Sequence, residues 1–201
     1  FEIPSDLDYL HFTSNNTIYG TQFHNFPKSS LPLVCDMSSD IFSKEVNVGD
    51  FDLIYAGAQK NLGPAGATLY IVKDEVLGKS TSPFLPSYLD LKNHVEKESM
   101  ANTPPVFSVF VAMLNLRNLL ANGGVKAKEI ENNAKAALLY NEIDSNPLFS
   151  GNVATEDRSK MNVTFKLIDE SLNAEFDAAW KSADIVGLPG HRSVGGYRAS
   201  M

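Results

Sequence analysis

The chain of 201 residues has 24 acidic and 17 basic side chains, so its net charge at pH 7 is -7 and its isoelectric point lies near 5.0. This acidic balance argues against a nucleic-acid-binding surface, and no apolar run is long enough to predict a membrane span. The single cysteine excludes an internal disulfide framework, and the four scattered histidines lack metal-ligand spacing. We therefore expect a cytoplasmic globular protein with no metal site, no nucleic-acid partner and no membrane partner.

Short runs of strand-forming residues alternate with polar segments in the first part of the chain. They predict strands over 9–12, 31–35, 51–56 and 67–73, an alternation typical of a mostly parallel α/β sheet. After a proline-marked irregular stretch, apolar residues at helical spacing predict a helix over 105–122. A second helix is predicted over 125–144, and its apolar stripe is expected in the core: Ile130, Ala134, Leu138 and Ile143.

The last part of the chain has the pattern of a smaller α+β unit. A strand is predicted over 161–165, a helix over 172–183 and a final strand within 190–201 that carries Arg198 after a turn with His191 and Arg192. We predict that residues 1–145 form part of a large α/β domain with connecting helices, and that residues 146–201 form part of a small C-terminal α+β domain.

Lys60 is the first candidate for chemistry. The apolar run 51–56 ends in the small residues of Ala56-Gly57-Ala58-Gln59, which deliver this lysine at the mouth of a strand. An amine there is partly desolvated, which favours its neutral, nucleophilic form and allows an aldehyde to be carried as a Schiff base. The alternative is a solvated loop lysine that merely follows a strand.

Asp36 is the second candidate, because it ends the strand-like run 31–35. In an open parallel sheet, ligands collect beyond the carboxyl ends of the strands, where both Asp36 and Lys60 would project. A carboxylate that holds a pyridinium nitrogen protonated and a lysine that binds the same ring's aldehyde are the pattern expected for pyridoxal phosphate. The alternative interpretation is that Asp36 caps a helix.

Four motifs occur in order along the chain: Cys35-Asp36-Met37-Ser38-Ser39, Ala56-Gly57-Ala58-Gln59-Lys60-Asn61, Asn102-Thr103-Pro104-Pro105 and Gly190-His191-Arg192-Ser193-Val194-Gly195-Gly196-Tyr197-Arg198. Together they closely resemble the phosphoserine aminotransferase family, whose enzymes have the pyridoxal-phosphate-dependent fold of type I. The resemblance runs from about residue 11 to the last residue, and the ordered set is far more specific than any one tetrapeptide.

The resemblance implies that the chain is a fragment. It begins without methionine and stops soon after an arginine-rich segment, whereas family members are considerably longer. We expect it to represent the second half of a large domain and part of a small one, without the N-terminal half and a short C-terminal tail.

The resemblance also implies a role for each site residue. Lys60 and Asp36 would be catalytic, Lys60 as the Schiff-base lysine and Asp36 as the partner of the ring nitrogen. Thr17 would bind the phenolic oxygen of the cofactor ring and Gln59 its phosphate. Asn102 and Thr103 would reach the cofactor phosphate of the neighbouring subunit, which makes a homodimer the expected state.

The substrate anions would be bound by three further residues. Arg198 resembles the residue for the α-carboxylate, because a guanidinium grips a carboxylate through two parallel hydrogen bonds. His191 and Arg192 resemble the residues for the substrate phosphate or the glutamate side chain. The alternative is an exposed basic strand with surface ion pairs.

The activity implied is transamination from glutamate to 3-phosphohydroxypyruvate, which gives phosphoserine and 2-oxoglutarate in serine biosynthesis. A second implied substrate, 3-hydroxy-4-phosphohydroxy-2-oxobutanoate, would give 4-phosphohydroxy-L-threonine for pyridoxine biosynthesis. Two alternatives stay open: another aminotransferase of the same fold type, such as an alanine-glyoxylate enzyme, or a catalytically inert fragment.

Overall fold

The computed structural model describes residues 3–4, 6–79 and 82–201. The chain divides into two compact units, one comprising Phe1–Thr13 and Pro27–Gly124 and the other Ser14–Phe26 and Val125–Met201. The division predicted between residues 145 and 146 concerns the domains of a longer protein, and it stays a prediction.

The elements follow each other in one order along the chain. The strands are β1 (Leu10–Thr13), β2 (Asn15–Asn16), β3 (Thr21–Gln22), β4 (Leu33–Asp36), β5 (Leu53–Gly57), β6 (Thr68–Val72), β7 (Phe149–Gly151), β8 (Asn162–Leu167) and β9 (Tyr197–Ser200). The α-helices are α1 (Leu91–Glu96), α2 (Val106–Ala121), α3 (Gly124–Ser145) and α4 (Asn173–Ser182).

The first unit is built on a four-stranded sheet with the order β1-β4-β5-β6. The β1–β4 and β4–β5 pairs are parallel and the β5–β6 pair is antiparallel, which confirms the predicted mostly parallel α/β sheet. Residues alternate between its two faces, as strand geometry requires. One face is buried through Phe12, Cys35 and Ile54, whereas the other carries polar side chains such as Asp36 alongside apolar ones such as Val34.

Helix α2 was predicted at nearly its observed position, but its apolar residues are distributed unexpectedly. The buried residues are the small Ser108 and Ala112. Phe107 and Phe110 are 71% and 52% exposed, so much of the apolar surface of α2 is uncovered in this chain. The small buried residues allow α2 to lie close to the turn that follows β5, because a side chain added at Gly63 would come within 3.3 Å of the Ala112 backbone nitrogen.

The second unit has an antiparallel sheet with the order β7-β8-β9, together with α3 and α4. Its core joins strand residues such as Val163 and Phe165 to Tyr140 of α3 and Trp180 of α4. The prediction for the buried face of α3 was wrong except at Ile143. Ile130 and Leu138 are 65% and 77% exposed, and the buried row is Asn132, Ala136, Tyr140 and Ile143.

A buried polar network fastens the β2–β3 hairpin within the second unit. The Asn15 side-chain amide donates to Asn162 Oδ1 at 2.8 Å, and the Ser159 hydroxyl donates to Asn15 Oδ1. Ser159 Oγ in turn accepts from the backbone N–H groups of Met161 and Asn162 at 3.0 Å each. Because unpaired buried polar groups are costly, this satisfied network fixes the hairpin against β8.

Within the described ranges no single helix is long and apolar enough to cross a membrane. Among the described helices, α2 and α3 taken together across their break pass that test, by length and composition alone.

Candidate functional site

Asp36 and Lys60 follow neighbouring strands of the first unit. Asp36 is the last residue of β4 and pairs with Tyr55 of β5 in parallel register. Strand β5 ends at Gly57, and Lys60 lies in the turn that follows. The two strand ends therefore lie side by side, as the sequence predicted, and both residues belong to the same edge of the sheet.

The turn that carries Lys60 is held from both sides. Ala58 and Leu62 are buried against Ala112 of α2, and the Gly63 N–H donates to the Ala58 carbonyl at 2.7 Å. The Asn115 side chain of α2 donates to the Leu62 carbonyl at 3.0 Å. Lys60 itself is exposed, so the predicted desolvation by a strand mouth is not found. These contacts hold the backbone of the turn, while the lysine itself lies at the surface.

The loop after Asp36 is tied to the end of β5. Asp36 Oδ1 accepts from the Ser38 backbone N–H at 2.8 Å, and Ser38 Oγ accepts from the Gly57 N–H at 3.0 Å. The Gln59 side chain folds over Gly57, because a Cβ at this glycine would lie 2.6 Å from Gln59 Oε1. Asp36, Ser38, Gln59 and Lys60 thus lie at or just after the adjacent ends of β4 and β5.

Tyr55 and His11 belong beside Asp36, although the sequence analysis missed both. The Tyr55 hydroxyl lies 3.1 Å from His11 Nε2, and the two rings stack with centroids 6.0 Å apart. Burial, followed by the negative charge of Asp36 and a hydrogen bond to it, raises the pKa of Tyr55. The signal was the alternation along β5, which puts Tyr55 on the same face as Asp36 once the register is known.

In the second unit, residues 190–196 form a loop closed on itself. The Gly190 N–H donates to the Gly196 carbonyl at 2.8 Å, and the Gly195 N–H donates to the His191 carbonyl at 2.8 Å. A Cβ at Gly190 would lie only 2.1 Å from the Gly195 oxygen, so the close approach requires glycine there. The loop presents a half-buried His191 and an exposed Arg192.

His191 is held in one tautomer by its own loop. The Ser193 backbone N–H donates to His191 Nδ1 at 3.2 Å, and a backbone amide can only donate. Nδ1 is therefore an acceptor in this geometry, which places the proton of the neutral ring on Nε2. His191 can offer that N–H to an anion, as the resemblance expects.

Arg198 lies on β9, where it pairs with Thr164 of β8. Its Nη1 donates to the Thr17 carbonyl at 3.5 Å, whereas its Nε is buried and has no hydrogen-bond partner among the described residues. A buried guanidinium donor without a partner is unusual in a folded protein and favours an anionic ligand at this position. The structure thus brings together two predicted site residues, Thr17 and Arg198.

Asn102 and Thr103 lie on a separate exposed segment before α2. The Asn102 side-chain amide donates to the Thr103 carbonyl at 3.0 Å, and both residues are solvent-exposed. Of the predicted residues, Asp36, Gln59, Lys60, Asn102 and Thr103 belong to the first unit, and Thr17, His191, Arg192 and Arg198 to the second. In the part of the chain that the structure describes, no group of three or more His, Cys, Asp or Glu side chains is placed to hold a metal ion.

Comparison with known proteins shows the family to which the chain belongs. The class-V aminotransferase family matches residues 2–195. A phosphoserine aminotransferase of Flavobacterium johnsoniae is 61% identical over 201 residues, which cover all of this chain and 56% of that protein. The structure of a phosphoserine aminotransferase from Bacillus circulans subsp. alkalophilus superposes with a TM-score of 0.95 at 43% identity, over all of this chain and 56% of that one.

A pyridoxal-phosphate-bound phosphoserine aminotransferase from Trichomonas vaginalis superposes with a TM-score of 0.93 at 34% identity, over all of this chain and 57% of that one. The chain therefore belongs to the class-V aminotransferase family. The predicted resemblance and fold class are both confirmed, and the chain spans 56% of the length of the Flavobacterium johnsoniae protein.

Proposed function

We propose that the full-length protein is a pyridoxal-phosphate-dependent aminotransferase that converts glutamate and 3-phosphohydroxypyruvate into 2-oxoglutarate and phosphoserine. The observation that carries the proposal is the placement of Asp36 and Lys60 at adjacent ends of parallel strands. The similarity to phosphoserine aminotransferases over the whole chain supports the substrate class.

The residues at the strand ends fit the cofactor. Lys60, an exposed residue, provides an amine for its aldehyde, and the Asp36 carboxylate, which accepts from the Ser38 N–H, provides an acceptor for its ring N–H. Gln59 supplies a neutral amide donor beside Lys60 for the phosphate, and Thr17 in the second unit supplies a hydroxyl for the phenolic oxygen. Bound pyridoxal phosphate supplies an aldehyde for covalent attachment and an electron-withdrawing ring that stabilises a carbanion at the substrate Cα.

Two residues of the chain, Lys60 and Asp36, would each act on a different proton. The Lys60 amine would take the proton from the substrate Cα as a general base. Asp36 would keep a proton on the ring nitrogen, because an ionised carboxylate next to it favours the protonated form. The fixed turn around Lys60 would keep its amine in reach of that proton.

The second unit would bind the substrate anions. The unpartnered Arg198 Nε, together with the Nη groups, would pair with the α-carboxylate that every amino or keto acid substrate carries. Arg192 and the Nε2 proton of His191 would bind the phosphate or the side-chain carboxylate of glutamate. An alanine-glyoxylate enzyme would need no such second anion site, so this pair favours a phosphorylated keto acid.

We further propose that the active enzyme is a homodimer in which Asn102 and Thr103 bind the cofactor phosphate of the partner subunit. Their exposed position before α2 and the uncovered apolar residues of that helix support the proposal. The second substrate, which would lead to 4-phosphohydroxy-L-threonine, and the cytoplasmic location stay predictions.

Replacement of the lysine tests the central claim. In the full-length protein, Lys60→Ala should abolish borohydride-trappable attachment of pyridoxal phosphate and lower transamination on the order of 10³-fold or more, since both attachment and proton transfer are lost. Peptide mapping of the reduced wild-type protein should locate the cofactor on Lys60, with Lys73→Ala as the matched control that keeps it. Cofactor still trapped on the peptide that contains position 60 in Lys60→Ala would refute the assignment, and a full-length wild-type protein without trappable cofactor would refute the proposed function.

A further inference from the structure

Three side chains share one face of the first unit's sheet, opposite to its buried face and beside the proposed ring-nitrogen site. Asp36 ends β4, Tyr55 is its register partner on β5, and His11 lies on β1, the strand on the other side of β4. His11 and Tyr55 therefore reach toward each other over β4 and meet with 3.1 Å between Nε2 and the hydroxyl. The stacked rings leave little freedom for the Tyr55 hydroxyl, because the two side chains restrain each other.

The direction of the hydrogen bonds follows from the inventory of protons. A tyrosine hydroxyl has one proton, and an ionised carboxylate can only accept. Since Tyr55 is hydrogen-bonded to Asp36, which with burial and the charge of that carboxylate raises the pKa of Tyr55, the hydroxyl proton goes to Asp36. His11 must then donate from Nε2 to the Tyr55 oxygen. The result is an ordered row of hydrogen bonds from His11 through Tyr55 to the Asp36 carboxylate, whose Oδ1 also accepts from the Ser38 N–H at 2.8 Å.

We propose that Tyr55, supported by His11, is a positioning residue that fixes the Asp36 carboxylate for its bond to the cofactor ring nitrogen. This inference rests on the proposed function, because it requires that Asp36 bind that nitrogen. Tyr55 and His11 need not touch the cofactor. They act through the orientation of one carboxylate, so their loss should affect only ligands that use this carboxylate.

The test compares two cofactors in the full-length protein: pyridoxal phosphate and its 1-deaza analogue, in which a C–H replaces the ring nitrogen. Tyr55→Phe keeps the ring and removes the hydroxyl. We expect its dissociation constant for pyridoxal phosphate to rise about ten-fold, the loss of one hydrogen bond to a charged group, while that for the analogue changes less than about two-fold. A general packing defect would weaken the binding of both cofactors equally, and that result would overturn the inference.

Tyr70→Phe is the matched control, because Tyr70 pairs with Tyr55 on β6, its ring lies 6.3 Å from that of Tyr55, and it is half exposed. It should change neither constant. His11→Phe keeps an aromatic ring at this position and removes the Nε2 proton, so it should weaken the binding of pyridoxal phosphate but not that of the analogue. The double variant should bind pyridoxal phosphate no more weakly than Tyr55→Phe does. Additive losses of affinity in the double variant, or an unchanged affinity of Tyr55→Phe for pyridoxal phosphate, would contradict the proposed hydrogen bonds from His11 through Tyr55 to Asp36.

The outcomes also separate this inference from the proposed function. If the wild-type protein binds neither cofactor at Lys60, the proposed function fails and the inference fails with it. If the wild type binds both cofactors but the Tyr55→Phe losses are equal, only the positioning role is refuted. Circular dichroism of each variant checks that the fold is retained.

Discussion

Arg198 has five N–H donors in a rigid fork, and the fold around it uses them unequally. Nη1 contacts the Thr17 carbonyl at 3.5 Å, while Nε is buried without a partner among the described residues. Arg192, by contrast, is exposed on the tip of a loop. The two arginines therefore offer different anion sites: one built into a strand beside the second unit's hairpin, and one presented from a glycine-closed turn.

This difference predicts two patterns of substrate loss in the full-length enzyme. Arg198→Lys should lower kcat/KM for all amino and keto acid substrates together, because lysine cannot form the bidentate fork. Arg192→Ala should lower kcat/KM roughly 30-fold or more for 3-phosphohydroxypyruvate, which is a loss of about 2 kcal/mol. It should affect hydroxypyruvate, which lacks the phosphate, much less.

Steady-state kinetics of both variants with both keto acids would check the assignment. Equal losses for the phosphorylated and unphosphorylated substrates in Arg192→Ala would remove its phosphate-binding role and favour a more general aminotransferase.

Some site residues could be predicted from the sequence and others could not, for a physical reason. Asp36 and Lys60 each follow an apolar run, and the rule that parallel strands end at one edge predicted their juxtaposition without coordinates. Tyr55 lies inside such a run, where a tyrosine is an ordinary strand residue. Only the register that pairs it with Asp36, and the approach of His11 from a third strand, show its place at the site.

At the level of elements, the long strands and helices were predicted within a few residues, whereas the short ones were missed. Helix α1 has six residues and β2 and β3 have two each, which is too few for a periodic pattern. The buried face of α3 was predicted wrongly because two rows have equally good helical spacing. The buried row includes Asn132 and Tyr140, and Tyr140 is accepted in the core because its hydroxyl donates to the Ser159 carbonyl at 3.0 Å.

The hairpin turn between β2 and β3 depends on Gly20. This residue has a φ of +74°, and a Cβ there would lie 2.8 Å from both the Asn162 carbonyl oxygen and Thr164 Oγ1. Gly20→Ala should therefore lower the free energy of unfolding by roughly 3 kcal/mol, through backbone strain and overpacking together. Gly187→Ala measures the contribution of backbone strain alone, because Gly187 has a φ of +78° with nothing within 4 Å of the added Cβ.

Urea denaturation of the two glycine variants in the full-length protein would measure the difference. Gly187→Ala, the control, should lower the free energy of unfolding by only about 1 kcal/mol. If both variants lost the same free energy, the close packing of the hairpin on β8 would not contribute to stability.

For the whole molecule, the proposed sharing of the active site between subunits can be tested by mixing two inactive variants. Lys60→Ala removes the attachment site, and Thr103→Glu places a negative charge where the partner's cofactor phosphate should bind. In a mixed dimer, one site combines the intact Lys60 of one subunit with the intact Thr103 of the other. Refolding an equal mixture should therefore restore about one quarter of the wild-type activity, since about half of the dimers are mixed and each has one intact site.

Each variant refolded alone is the control and should remain inactive. If every subunit used its own Thr103, the mixed dimers would contain no intact site, and mixing would restore nothing. Size-exclusion chromatography of the variants would show whether dimers form at all.

The hydrogen bond between the Asn15 and Asn162 side chains affects when the protein can fold during its synthesis. The two residues are 147 positions apart, so a ribosome adding roughly 10 residues per second emits the hairpin about 15 seconds before its partner strand. During that interval the Asn15 side chain cannot make its native hydrogen bonds to Asn162 and Ser159. The second unit can thus close only after β8 has been made, and its completion is an event of long-range loop closure, which is intrinsically slow.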